Sequence, residues 1–141
     1  MTNSTEVQAS EVSKSCIAVR LRKLNREVSA IYDGCFRPFG LTIAQFNLLI
    51  AIGAHGEVSP SRLVKALSLE KSTVSRNIVK MQAHNWVESI PQGDKRSHTL
   101  ALTDAGKKMV DEVIPVWRFA QKETEKTYGP LAELLSGITF R

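Results

Sequence analysis

Strong start and stop signals crowd into residues 59–103, and their order leaves few folds open. Ser59-Pro60 supplies a capping hydroxyl followed by a proline at the first helical position, which fixes a helix start. The run "SPSRLVKALSL" then places Leu63, Val64 and Leu67 on one face. A break at residues 68–70 precedes "KSTVSRNIVKMQAHN", where Val74, Ile78 and Met81 fall at i, i+4 and i+7, the spacing of a buried helical stripe. That register leaves Ser72, Thr73, Ser75, Arg76, Asn77 and Lys80 facing solvent. Asn85 tolerates a positive φ and predicts the helix stop. "WVESIP" and "SHTLAL" then alternate with period two around "QGDKR", which predicts an antiparallel hairpin turning at Gly93.

The flanks read as longer helices. Over about residues 12–39, Ile17, Leu21, Leu24, Val28, Ile31 and Cys35 step by four and three, a heptad-like stripe opposite Arg20, Arg22, Lys23, Arg26 and Glu27. So long a stripe exceeds what one small core covers, and its excess predicts packing against a second chain. Thr42 and Gln45 have the spacing of a capping box for the buried helix "TIAQFNLLIAIGAHG". Thr103-Asp104 opens a last long helix with Met109, Val110, Val113, Trp117 and Ala120 inward. Pro115 is expected to kink it and Gly129-Pro130 to break it ahead of a short terminal helix. The opening "MTNSTEVQASEVSKS" is polar, is expected to fray, and lacks the apolar core of a signal peptide. With no apolar run near the roughly 18–20 residues that span a bilayer, the expectation is a cytoplasmic protein without a membrane partner. At 141 residues the chain is expected to be one domain, mainly α with a small β-hairpin.

The net charge of +5 is unevenly placed. Residues 59–98 carry seven Lys or Arg (Arg62, Lys65, Lys71, Arg76, Lys80, Lys95, Arg96) against three acids, while both flanks are near balance. A local basic excess favours a polyanion as partner. Two short helices with a tight break, the second exposing small polar and basic side chains, describe a helix-turn-helix. A helix entering a major groove needs short side chains for close approach and a few long donors. Ser72, Thr73 and Ser75 offer hydroxyls, Arg76 suits guanine and Asn77 suits adenine. Arg62 and Lys80 are placed for phosphates, and Lys71 belongs to the same DNA-binding set. The hairpin that follows is then a wing, its Arg96 reaching the narrow minor groove, Asp94 bracing that guanidinium and Lys95 on phosphate.

The run "STVSRNIVKMQAHNWVESIPQGDKRSHTLALTDAGKKM" resembles the MarR family of bacterial transcriptional regulators. The matching elements are Ser72-Thr73-Val74-Ser75-Arg76, the wing Asp94-x-Arg96 and Leu102-Thr103-x-x-Gly106, with similarity over roughly residues 15–128. Asn85 departs from the glycine frequent at that position. The resemblance implies a winged helix-turn-helix lobe over about residues 41–103. Terminal helices over about 12–39 and 104–141 would form a homodimer through Ile17, Leu21, Leu24, Val28, Leu131, Leu134 and Leu135. It further implies a regulator, most often a repressor, that reads a palindromic double-stranded operator.

Relatives of this kind respond to small aromatic or anionic effectors, and Tyr32, Arg37, Phe39, His55 and Trp117 are the residues placed to line such a cleft. A thiol-based redox reading is the alternative. Cys16 resembles the sensing cysteine of some relatives, with Arg20 as a nearby cation. On one helix Cys16 and Cys35 stand roughly 28 Å apart at about 1.5 Å per residue, beyond disulfide reach. His55, His84 and His98 are isolated, so no metal or cofactor is expected. No phosphate loop, nucleophile elbow or paired-cysteine motif points to an enzyme. A helical interaction module that ignores DNA, using the first helix as its docking face, is the remaining rival.

Overall fold

The computed structural model describes residues 3–94 and 96–138. Six helices and one hairpin follow in order: α1 (Ser4–Ser15), α2 (Ile17–Phe36), α3 (Ile43–His55), α4 (Pro60–Leu67), α5 (Lys71–Ala83), β1 (Val87–Pro91), β2 (His98–Leu102) and α6 (Asp104–Leu134). A short 3-10 turn, Arg37–Phe39, links α2 to α3. Phe36 at the end of α2, Leu48, Leu49 and Ile52 of α3, Leu63 of α4, Met81 of α5, Leu100 of β2 and Val113 of α6 are fully enclosed in one core. Phe46 lies between Phe36 (5.0 Å between ring centroids) and Trp117 (6.5 Å), which ties α2, α3 and α6 together.

The predicted caps form. Thr42 and Gln45 make both capping-box bonds, at 3.2 and 3.1 Å. Ser59 accepts from the Arg62 N–H at 3.3 Å, ahead of Pro60. Asn85 adopts φ 59°, and the Asn85 and Trp86 N–H groups close back on the Gln82 and Met81 carbonyls, each at 2.9 Å. That pattern satisfies two carbonyls at the end of α5.

Three expectations are corrected. The polar opening segment is helical from residue 4: Asn3 caps α1, although no residue of that helix is buried. Nor is there one helix from residue 12 onward, because Cys16 is extended (ψ 115°) and divides α1 from α2. The reason is local. Ser13 and Ser15 donate their hydroxyls to the Ser10 and Glu11 carbonyls, and such bonds compete with helical continuation. The Arg20 guanidinium donates to the Lys14 carbonyl left open by the break. Finally, Pro115 leaves α6 with helical dihedrals. Asp111 and Pro115 both face solvent, where water can serve the carbonyl that loses its donor. The only non-helical residue inside α6 is Tyr128, just before Gly129-Pro130.

The hairpin pairs Val87 with Leu102 through to Pro91 with His98, and Val58 adds a bridge to Leu100. Its base is locked to both neighbouring helices. The Thr103 N–H donates to the Trp86 carbonyl at 3.1 Å, and its hydroxyl donates to the Asn85 carbonyl. The same oxygen accepts from the Gly106 N–H at 3.0 Å and so caps α6. A Cβ on Gly106 would stand 2.0 Å from the Trp86 carbonyl oxygen, so only glycine lets α6 start this close to β1. Gly106→Ala should lower unfolding stability by about 1–3 kcal/mol, the usual cost of overpacking, as measured by urea melts. An unchanged midpoint would mean that α6 is not seated on Trp86.

Candidate nucleic-acid interface

The α4–α5 turn is built by Ser68 at φ 50° and by the Leu69 N–H donating to the Val64 carbonyl at 3.2 Å. It sets α5 with Val74, Ile78 and Met81 inward and Lys71, Ser72, Ser75, Arg76 and Lys80 exposed. Thr73 and Asn77 are half-buried at the edges of that face. Arg62 is exposed in the first turn of α4. Two polar side chains are committed to the helix itself: Ser75 donates to the Lys71 carbonyl and Asn77 to the Thr73 carbonyl, both at 3.0 Å. A base contact by the Asn77 amide would require that bond to break. Glu70 makes no side-chain cap to α5, so the first N–H groups of the helix remain open to an anion. Sequence reading passed over Val79, which is 64% exposed on the same face. Its register, one residue past the buried Ile78, was the available signal.

At the hairpin tip Asp94 and Arg96 are both exposed, and Lys95 lies outside the described residues. The expected carboxylate–guanidinium brace is not among the ion pairs of the described residues. Asp94 instead accepts from the Arg96 backbone N–H at 3.4 Å, and its carbonyl accepts from the Ser97 N–H at 3.0 Å. Aspartate favours this local turn because its short side chain reaches the backbone two residues on. Positive φ among the described residues is confined to Gly40, Gly56, Ser68 and Asn85, so the tip does not rest on left-handed freedom at Gly93. Among the described residues the ion pairs are Lys107–Asp104, Lys108–Glu112 and Lys126–Glu123. None engages Arg62, Lys71, Arg76, Lys80 or Arg96.

Two clefts flank Tyr32. One of about 300 Å³ lies between α2, α3 and the end of α4, lined by Asn25, Val28, Ser29, Tyr32, Ile43, Ala44, Asn47, Leu67 and Leu69. A second, about 280 Å³, lies between α2 and α6, with Val28, Tyr32, Gln121, Thr124, Tyr128 and Leu131 in its walls. The Tyr32 hydroxyl donates to Gln121, and burial pushes its pKa above the usual tyrosine value of 10.0. Of the five residues expected to line a cleft, Tyr32 alone borders these two. Arg37 and His55 are exposed, Phe39 packs against the core and Trp117 stacks on Phe46. Cys16 is a half-buried free thiol. Of the proposed dimer positions, Ile17, Leu21, Leu134 and Leu135 are exposed, Leu24 is half-exposed, and Val28 and Leu131 meet across the second cleft.

The MarR family model matches residues 39–97, from the end of the 3-10 turn to the hairpin tip. The HTH-type transcriptional repressor NicR of Pseudomonas putida is 31% identical over 112 residues, covering 79% of this chain and 69% of NicR. Across three curated relatives it matches, the chain spans 56–69% of their length. The M. tuberculosis transcriptional regulator MOSR, solved in complex with DNA, superposes with a TM-score of 0.73 at 28% identity over 80% of this chain and 83% of that one. BpsR of Bordetella bronchiseptica, whose DNA binding is regulated by 6-hydroxynicotinic acid, superposes at 0.77 over 88% of this chain and 98% of its own. Its identity of 24% bears on the fold alone.

If the Asp94 carboxylate holds the tip through the Arg96 backbone N–H, Asp94→Asn should keep amide-exchange protection at Arg96, because the acceptor survives without the charge. Asp94→Ala should lose it. Equal loss in both variants would restore the ion-pair brace.

Proposed function

The chain belongs to the MarR family, and on that premise we propose that it is a cytoplasmic transcriptional repressor that binds a palindromic operator as a homodimer. The observation that carries this reading is the cationic face of α5 beside the hairpin tip, with Arg62, Lys71, Arg76, Lys80 and Arg96 all free of intramolecular ion pairs among the described residues. In this reading α5 enters the major groove. Its small residues Ser72, Thr73 and Ser75 permit close approach, and Arg76 donates to guanine O6 and N7. Arg62, Lys71, Lys80 and Lys95 bind phosphates, and the open N-terminus of α5 adds backbone donors to them. Arg96 reaches the flanking minor groove, where a narrow groove concentrates negative potential.

The second protomer is held through the apolar surface of the terminal helices. Ile17 (72% exposed), Leu21 (56%) and Leu134 (79%) are costly to leave in water and have no cover among the described residues. The effector site is the cleft between α2, α3 and the end of α4. Leu67 and Leu69 bracket the α4–α5 turn, so an occupant there bears on the element that aims α5. The lining offers Asn25, Ser29 and Asn47 but no Lys or Arg. A small aromatic acid would therefore be held by amide and hydroxyl donors over apolar walls. The regulation of BpsR by 6-hydroxynicotinic acid supports an effector of this class.

Arg76→Ala should relax base preference at one position per half-site by about 1–3 kcal/mol, read by competition between single-base operator variants. A uniform loss on every sequence would demote Arg76 to a phosphate contact. Ile17→Glu with Leu21→Glu should give a folded monomer by light scattering, since both side chains lie outside the core. A persistent dimer would place the interface elsewhere.

A further inference from the structure

Val79 has no role in the core, yet it stands near the centre of the exposed face of α5. It is 64% exposed, three residues after Arg76 and seven after Ser72. With Ser75, Arg76 and Lys80 it lines a shallow depression of about 360 Å³ whose surface is almost wholly apolar. Stability does not account for valine there. A β-branched residue on a solvated helical face is a poorer helix former than alanine or lysine, and here it leaves its methyls in water. The surroundings define the partner it suits. Arg76 and Lys80 line the depression beside it, α5 contains no acid, and Ser72 and Ser75 are short enough to let the helix backbone approach. An apolar atom presented between anionic groups at that depth is the C5-methyl of thymine, which projects into the major groove between the phosphate backbones.

We infer that Val79 is a specificity-determining residue that reads one thymine in each half-site through its methyl group. The assignment rests on the DNA-binding reading above and adds to it a base class, thymine over cytosine, at a position adjoining the Arg76 contact.

The test begins with duplexes selected from a random pool by the wild-type full-length chain. Each selected thymine is then replaced singly by deoxyuridine, which removes only the methyl. Wild type should lose about fourfold in affinity at one thymine per half-site, the worth of one buried methyl-sized group. Val79→Ala, which substitutes an exposed residue with a better helix former, should stay folded by circular dichroism and bind the thymine and uracil duplexes about equally. Wild-type affinity unchanged by every uracil replacement would overturn the assignment while leaving DNA binding in place. Unchanged uracil sensitivity in Val79→Ala would do the same. Failure of the pool to enrich any sequence would overturn the DNA-binding reading, and this assignment with it.

Discussion

The architecture depends on the contact of Gly106 with the Trp86 carbonyl and on the three hydrogen bonds through Thr103 beside it. One short segment there joins the end of α5, the base of β1, the end of β2 and the start of α6. The Thr103 N–H, the Asn85 and Trp86 carbonyls and the Gly106 N–H are all paired there, so none of the four elements moves without breaking one of these bonds. The orientation of α5 relative to the hairpin, and of both relative to α6, follows from that junction. It gives a physical reason for Thr103 and Gly106 to occur together three residues apart.

Two surfaces of opposite chemistry are thereby held at fixed separation. One is the polar, cationic face of α5 with the hairpin tip. The other is the apolar surface of the first half of α2 and the end of α6, where Ile17, Leu21 and Leu134 are exposed. Tyr32 and Val28 of α2 border clefts on both sides, one toward α3 and α4 and one toward α6. In the proposed reading, α2 is therefore the element through which an occupied cleft changes the spacing of the two DNA-binding lobes. Polar atoms in the first cleft are amides and hydroxyls, which select for shape and hydrogen bonding more than for charge.

Much of the fold was legible because its boundaries rest on local chemistry. Thr42 with Gln45, Ser59 with Pro60, and Asn85 each act within a turn of their own position, and each forms the predicted cap. The break at Cys16 was not legible, because the four-and-three stripe runs through it unchanged and the competing bonds come from Ser13 and Ser15. In the candidate site, residue types indicated the exposed face of α5 but not where each side chain is spent. Asn77 has the right chemistry for adenine, yet its amide is bonded to the Thr73 carbonyl. The Asp94 carboxylate meets the Arg96 backbone N–H, a donor that a sequence shows less readily than a charge. Val79 was missed because apolar residues were sorted only into the core stripe. The cleft residues Asn25, Ser29 and Asn47 come from two helices and carry no spacing signal.

Whether the cationic face is a DNA-reading surface or merely a solvated one is decided by fluorescence anisotropy of labelled duplexes at several salt concentrations. A duplex of preferred sequence is compared with its scrambled counterpart. A regulator built as described should prefer its sequence by at least about 10³-fold. It should lose about 10³-fold in affinity between roughly 50 and 200 mM salt as six or so phosphate contacts release their counterions. Equal, weak affinity for both duplexes at every salt concentration would contradict it.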